Sequence, residues 1–518
     1  MNEENLNRIA ETLDAYQDSV WITGGAVRDA FMHITPKDID LVTRSPDALA
    51  EKLAAALHAN CAVLHKTGDV IRITLPETAI SLDIARMRGD TIAEDLAMRD
   101  FTINAIAMTA ARETLFSVMR CNIPGLDMRA IDPYHGAQDI AKQILRPVSN
   151  TIFQDDPFRI FRAARLQSRF HLTFTEDLIA MARTSAGQLM RHASSRIAGE
   201  FFLLLQQEGT GAQPILALDA LGGLQQIIPE LEACRGLRQG RLHYYTVFDH
   251  TMAVLDFTDK LPEFLRAGLS GDIPDAEQTD ASCPQHPIGL RFGSHNTAIL
   301  EYLQQPYANG QTRFTLMKTA ALLHDIAKPN TIVHKENGYT AFPDHPEAGE
   351  PIARKIMKRM QASSASQEYA ARITKLHMEP SRSIFAYGGA TQAALRAYCA
   401  ITENFALDTG MFSLADHLGV YGPAPLNAYW RKHYTYVSGL AAAYFTNYAE
   451  LFPQPLISGG EIIERFGAVP GPQIAELLQS VRAAQIQYTI QTTHEAYTMV
   501  ERLLRETQTE NSADTDVL

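Results

Sequence analysis

The chain has 518 residues, of which 46% are hydrophobic and 20% charged, and a formal net charge of −13. That is apolar material for about three to four domains, which excludes a single small module. The acidic balance excludes a protein that coats nucleic acid over its whole surface, so any polyanion must be met by a local basic face.

Five cysteines, Cys61, Cys121, Cys234, Cys283 and Cys399, are scattered without paired spacing, as expected of a reduced compartment. The opening MNEENLNRIAETLDAYQD is polar and acidic, and no run approaches the roughly 18 apolar residues of a membrane span. The expectation is a cytoplasmic protein with no membrane partner.

Residues 1 to about 145 mix short β-rich runs (VWITGG, DIDLV, VIRITL, ISLDIA) with the helical pattern PDALAEKLAAALHA, which predicts a compact α/β head. Beyond it the strand signal fades. FRIFRAARLQSRF, DLIAMARTSAGQLMRHA and SSRIAGEFFLLLQQ read as successive amphipathic helices, and helical periodicity continues to about 508. Residues 259 to 312, rich in Pro, Gly and polar side chains, read as an inserted surface excursion. The last ten residues, TENSADTDVL, read as a disordered acidic end.

In a strand, successive side chains point to opposite faces, so Asp38 and Asp40 share one face while Ile39 turns to the core. Two carboxylates that close repel unless a cation joins them, and an all-oxygen set favours Mg²⁺. Asp83, in ISLDIA, is the natural third carboxylate from a neighbouring strand. A pair of turn aspartates at a strand edge is the competing reading. Gly24 and Gly25 end VWIT and precede AVRDAFM, an order in which bare backbone N–H groups and a helix N-terminus cradle phosphate. Arg28 lies one turn into that helix, placed to reach the same anion. Further on, Arg159, Arg162, Arg165 and Arg169 are spaced by three, three and four residues, which stacks them on one helix face. Such a row suits a triphosphate or an RNA backbone, or else a solvated face paired with nearby carboxylates.

GGAVRD, then DID, then RDFTINAIA at 99–107 together resemble the class II tRNA nucleotidyltransferases, the family that holds the CCA-adding enzymes and the bacterial poly(A) polymerases. The resemblance implies an α+β fold, with a polymerase-β-like nucleotidyltransferase head followed by a mainly α neck, body and tail. It implies transfer of nucleoside monophosphates from CTP and ATP to a tRNA 3′ hydroxyl. On this reading Gly24, Gly25 and Arg28 hold the triphosphate, and Asp38 and Asp40 hold Mg²⁺. Arg99, with Asp100 beside it, contacts the nucleotide, and Asn104 supports the ribose end. QDDPFR matches the family's EDxxR motif, so Asp156 and Arg159 take the two roles that read the base, and Arg162 and Arg165 assist at the phosphates.

The chain departs from the family pattern in three places. Met98-Arg99 replaces a doubled arginine, Asp155 replaces the glutamate of EDxxR, and only ARMRGDTIAEDLAM, residues 85–98, stands where CCA-adding members carry a long flexible loop. Members without the loop tend to add only the two cytidines. A CC-adding enzyme is therefore an alternative, as is a poly(A) polymerase.

Later in the chain, His250 in VFDHTMAVLD, His324 and Asp325 in AALLHDIAKP, and Asp416 in FSLADHLG follow the H…HD…D order, which resembles the HD phosphohydrolase superfamily. His345 and His377 fall where binuclear members place further ligands. Imidazole with carboxylate suits Mn²⁺, Ni²⁺ or Fe²⁺ better than Mg²⁺ alone. The implied chemistry is hydrolysis of cyclic or terminal phosphoesters, and a phosphohydrolase whose head only binds RNA is the rival from another class. Gly459, Gly460, Pro470, Gly471 and Pro472 are expected to build a tight turn between helices, where backbone N–H groups could meet RNA phosphate. The expected organisation is a head over 1–145, a neck over 146–230, an HD domain over 231–440 and a helical tail over 441–518.

Overall fold

The computed structural model describes residues 3–513 except 17–18, 65–68, 76–79, 122–129, 192–195, 241–242, 271–287, 337–338, 423–425 and 487. The chain forms two compact units, Met1–Pro229 and Glu230–Leu518.

The N-terminal unit is built on a six-stranded sheet. Its strands are β1 (Val20–Thr23), β2 (Asp38–Thr43), β3 (Asn60–Val63), β4 (Val70–Thr74), β5 (Ser81–Arg86) and β6 (Ala107–Thr109), in the order β3-β4-β5-β2-β1-β6. The expected runs supply β1, β2, β4 and β5. The short strands β3 and β6 add one edge each. β2 and β5 run parallel, while the other neighbours are antiparallel. Alternation does what the sequence demands of it: Ile39 and Leu41 are fully buried, as are Leu82 and Ile84 beside them. Helices Gly24–Phe31 and Pro46–Leu57 pack on the sheet, and the first begins directly at Gly24, with no intervening turn.

Beyond the sheet, the amphipathic helix Arg159–Phe170 buries Ile160, Phe161, Ala163, Ala164 and Leu166 against Gln213–Ala220 and Arg196–Leu205. The chain between β5 and RDFTINA is a short helix, Ile92–Ala97, rather than an open loop. The Thr91 side chain caps it by accepting the Glu94 N–H, and the buried Asp95 accepts the Arg88 N–H at 3.0 Å.

Among its described residues the C-terminal unit is helical apart from two short antiparallel strand pairs, Pro306–Ala308 with Gln311–Thr312 and Val333–His334 with Thr340–Ala341. The helices that matter for function are Val247–Ser270, Arg313–Leu323, His345–Arg359, Ser364–Leu376, Ala406–Tyr421 and Ala428–Thr446. The structure corrects the expected surface excursion at 259–312. Residues 259–270 complete a 24-residue helix, Asp259 makes a buried ion pair with Lys318 at 2.6 Å, and Ile288, Leu290 and Phe292 are core residues. Proline and glycine frequency is a weak signal when the flanking apolar residues have a core to enter. The middle of that stretch, 271–287, lies outside the described residues.

The tail is corrected as well. Gly459 and Gly460 start a helix, Gly459–Phe466, whose N-terminus is already satisfied by a Ser458–Glu461 capping box. Pro470–Pro472 belong to the separate junction before Pro472–Ile486. The five residues do not form one turn. The last helix runs Thr493–Ala513, so the expected disorder from 509 does not hold as far as 513, and 514–518 lie outside the described residues.

Candidate functional site

In the N-terminal unit the parallel register sets Asp40 beside Asp83 and Asp38 beside Ser81. Asp38 is exposed and Asp40 half-buried, on the face opposite Ile39. Each carboxylate is held by a different donor. The Ser81 hydroxyl donates to Asp38 Oδ1 at 2.7 Å, the Gly25 N–H to Asp40 Oδ2 at 2.8 Å, and Arg72 grips Asp83 through two bonds of 2.7 and 2.6 Å. Burial pushes the Asp40 carboxyl above its usual range, and the Asp83 charge adds to the push against Arg99 and the Gly25 N–H. This oxygen-only set, held against its own repulsion, fits a divalent cation.

Both glycines face Asp40. A Cβ on Gly24 would stand 3.0 Å from Asp40 Oδ2 and 3.1 Å from Arg99 Nη1, and its φ of +65° is one that other residues avoid. Gly25 would bring a Cβ within 3.2 Å of the same oxygen.

Arg99 joins the carboxylates to a second feature. It donates to the Thr23 hydroxyl at 2.9 Å and to Asp95 at 3.0 Å. It also lines a cleft of about 320 Å³ in which six arginines (88, 99, 159, 162, 165 and 196) outnumber three carboxylates (Asp100, Asp156 and Glu200). A net positive cleft in a chain of net charge −13 is the local basic face that the composition required. Arg162 bonds Asp100 at 2.6 Å. That pairing, with the Asn104 amide and the Phe101 N–H, holds Asp100 below its usual range although burial pushes the other way. Arg165 meets Glu200 at 3.3 Å, and Arg159 donates to the Ile152 and Met98 carbonyls.

Several expected residues are placed differently. Arg28 is buried, its guanidinium shared between Asp29 and Asn104 and lying over the Phe170 ring. It orders the site from behind and does not line the arginine cleft. Asn104 links Arg28 to Asp100. Arg169 keeps to the same helix face but lies one turn beyond Arg165, where it faces Asp29 at 3.7 Å and does not line the cleft. Asp156 lies in the cleft, but its carboxylate is engaged by Arg196 at 2.7 Å and by the Phe158 N–H. Asp155 points away, bonded to Thr151. Sequence reading missed Arg88, Arg196 and Glu200. Arg88 donates to the Met98 carbonyl, so a second basic group stands near Arg99 where a doubled arginine is usual. The polar residues Arg196 and Glu200 at the start of the otherwise apolar helix Arg196–Leu205 were the available signal.

In the C-terminal unit the structure brings together all six expected residues. Asp325 Oδ2 lies 3.5 Å from His250 Nε2 and 3.3 Å from His324 Nε2. Its Oδ1 lies 3.3 Å from His345 Nε2 and 3.8 Å from His377 Nε2. Asp416 Oδ1 is 3.1 Å from His250 and 3.6 Å from His324.

Every one of the four imidazoles places Nδ1 against a backbone carbonyl, of Gly419, Ala321, Phe342 and Thr374 respectively. Carbonyls only accept, so each Nδ1 carries a proton and each Nε2 turns inward, where in the neutral ring it offers a lone pair. Facing lone pairs and an Asp325 Oδ1 without a hydrogen-bond donor are what a pair of cations bridged by Asp325 would satisfy. Burial and the neighbouring His345 push the His377 imidazole down to about 3, which keeps it unprotonated for a metal. Lys328 donates to Asp325 Oδ2 at 2.6 Å and to Gln239 at 2.7 Å. Both centres are thus of the kind that holds divalent cations.

Residues 20–146 match the poly A polymerase head domain and residues 247–402 the HD domain. Over 300 residues the chain is 30% identical to the Multifunctional CCA protein of Chromobacterium violaceum, covering 53% of this chain and 67% of that one. The chain belongs to the tRNA nucleotidyltransferase/poly(A) polymerase family. It is 28% identical to the A-adding tRNA nucleotidyltransferase of Deinococcus radiodurans over 492 residues, 94% of this chain and 96% of that protein. A CC-adding tRNA nucleotidyltransferase of Shouchella clausii is 33% identical over 42% of this chain and 54% of its own. A CCA-adding enzyme solved in complex with ATP shares the fold, with a TM-score of 0.55 at 18% identity over 96% of this chain and 95% of that one. No described helix of this family member is long and apolar enough to cross a membrane.

Proposed function

We propose that the N-terminal unit adds nucleotides to the 3′ end of tRNA, using CTP and ATP. The observation that carries this is the three-carboxylate step on β2 and β5, joined through Arg99 to a cleft where arginines outnumber acids two to one. Asp38 and Asp40 would hold Mg²⁺, which when bound neutralises the triphosphate and acidifies the attacking 3′ hydroxyl. The chain's own residues do the rest. Gly25 and Ser81 orient the two ligands, Arg72 orients Asp83, and Arg99, Arg162 and Arg165 meet phosphate oxygens with planar donors. Asp156 and Arg159 present an acceptor and donors to the edge of the incoming base once Arg196 yields the Asp156 carboxylate.

Similarity along nearly its whole length to an A-adding enzyme favours the ATP step over the cytidine-only alternative. A poly(A) polymerase is the weaker alternative, because a body with an intact His–Asp cluster replaces the basic region usual in that branch. The test is extension of tRNAs ending before CCA, after C and after CC, with each triphosphate alone, read at single-nucleotide resolution. One to three nucleotides on tRNA support the proposal. Long tails on generic RNA overturn it, as does full activity in Asp38→Ala/Asp40→Ala. We propose a cytoplasmic location, where tRNA and free triphosphates are available.

A second reading rests on the Asp325 geometry: a phosphoester hydrolase in the C-terminal unit. Its metals would be two transition ions such as Mn²⁺, Ni²⁺ or Fe²⁺, held by His250, His324, Asp325 and Asp416 on one side and by Asp325, His345 and His377 on the other. Hydrolysis of 4-nitrophenyl phosphate with each metal, lost in His324→Ala/Asp325→Ala, tests it.

A further inference from the structure

Asp95 does not line the arginine cleft of the N-terminal unit. Yet its carboxylate, on a side chain 2% exposed, organises two arginines that do. Oδ1 accepts the Arg88 N–H at 3.0 Å and Arg88 Nε at 3.3 Å, and Oδ2 accepts Arg99 Nε at 3.0 Å. Arg88 lies on the segment that enters helix Ile92–Ala97 and Arg99 on the segment that leaves it, so one acid on that helix draws together cations from both sides. The end of the same helix holds a third. The Met98 carbonyl accepts Arg88 Nη1 at 3.1 Å and Arg159 Nη2 at 3.2 Å.

A guanidinium carries five N–H groups in a fixed plane. Among the described residues, Arg88 spends three of them on Asp95 and Met98, and Arg99 spends three on Asp95, Asn104 and Thr23. Two remain on each for an anion in the cleft. Like charges that share one partner repel, and the carboxylate between them offsets that repulsion from behind, where it presents no acid to the anion.

We propose that Arg88 is a triphosphate-binding residue and that Asp95 is the positioning residue that aims Arg88 and Arg99 at the phosphates. This rests on the tRNA-extension reading for the reaction, but not for the binding of a triphosphate. Charge and position pull in opposite directions. Removing the Asp95 charge makes the cleft more positive, so Coulomb attraction alone would tighten phosphate binding, whereas loss of aim weakens it.

Asp95→Asn keeps the shape and one oxygen, but its amide meets one of the two arginines donor to donor. Inorganic tripolyphosphate, titrated by calorimetry into the full-length protein with Mg²⁺ as the only metal, should bind that variant about tenfold more weakly. Arg88→Ala, at a side chain nearly half exposed, should weaken it by a similar factor. The double variant should lose less than the product of the two, because Asp95 acts in part through Arg88. In tRNA extension by Asp95→Asn, the KM values for CTP and ATP should rise by the same factor, since the triphosphate is what they share, with kcat within about threefold.

Unchanged or tighter tripolyphosphate binding in Asp95→Asn overturns the positioning role, and unchanged binding in Arg88→Ala overturns the binding role. A KM that rises for one nucleotide only also overturns the proposal. Arg88→Ala keeps the test independent of whether Asp95→Asn folds. Weaker tripolyphosphate binding in both variants, with no tRNA extension by the parent, keeps the two roles and removes the reaction. Normal extension with binding unmoved does the reverse.

Discussion

Arg72 and Asp83 face each other across β4 and β5 as directly paired residues, and the guanidinium spans both carboxylate oxygens, Nε on Oδ1 at 2.7 Å and Nη2 on Oδ2 at 2.6 Å. Asp83 in turn pairs with Asp40 across β5 and β2. One arginine therefore fixes the third carboxylate of the proposed nucleotidyl-transfer site, and it lets three acids share one face of the two central strands. The hydrogen bonds to Asp83, with the charges of Asp83, Asp38 and Asp40, raise the Arg72 pKa despite its partial burial.

Arg72→Lys keeps the charge and loses the two-pronged geometry. Asp83 then rotates without leaving. The expected result is a kcat about tenfold lower with the triphosphate KM within about twofold, since the pair orients a reacting group and lies outside the arginine cleft. Steady-state extension of tRNA lacking its 3′ end measures both. An unchanged kcat would mean that Asp83 takes no part.

Gly24→Ala should be costly twice. The left-handed backbone at φ +65° costs about 1–2 kcal/mol with a side chain, and the new Cβ would press on Asp40 Oδ2 at 3.0 Å. Urea unfolding should show a loss of about that size, and extension activity should fall by about a hundredfold or more, because the displaced oxygen belongs to an expected metal ligand. A variant as active as the parent would separate Gly24 from the site.

Arg196 holds Asp156 at 2.7 Å while lying 4.3 Å above the Phe158 ring, and half of its side chain is exposed. An ion pair this accessible contributes about 0–1 kcal/mol to stability, so Arg196→Ala should unfold almost as the parent does. Its effect belongs to base choice. With the carboxylate no longer steered, the ratio of correct to incorrect nucleotide in kcat/KM should drop about tenfold. Single-turnover incorporation from each of the four triphosphates checks it.

Metal content tests the bridging role of Asp325. The full chain, loaded with Mn²⁺ and desalted, should carry two ions in the C-terminal unit. His345→Ala/His377→Ala should keep one, while Asp325→Ala should keep none. Loading should raise the midpoint of thermal unfolding, as any ligand that binds only the folded state does. Elemental analysis beside calorimetry gives both numbers, and two ions in Asp325→Ala would remove the bridge.

Much of this was legible residue by residue. The period of two in DIDLV put Asp38 and Asp40 on one face, and the residue spacing put Arg159, Arg162 and Arg165 on one side of a helix. The H…HD…D order marked four side chains whose ring and carboxylate atoms do meet. The failures have a common cause. Arg28 looked like an anion ligand, yet it is buried between Asp29 and Asn104, 76 positions away. The stretch 259–312 looked like a surface excursion because proline and glycine were counted without the partners, such as Lys318, that draw its flanks inside.

Local pattern alone therefore determined which residue types share a face, where the two metal-suited centres lie along the chain, and that a basic cleft had to exist on an acidic body. Tertiary structure decided which of those charges are free. Arg196 engages Asp156, Arg72 grips Asp83, and Asp325 turns one oxygen to each half of its cluster. The reason is physical: side-chain direction repeats over a few residues and can be read from spacing, but charge pairing depends on distances of a few ångströms between residues tens to hundreds of positions apart, which only the folded chain sets.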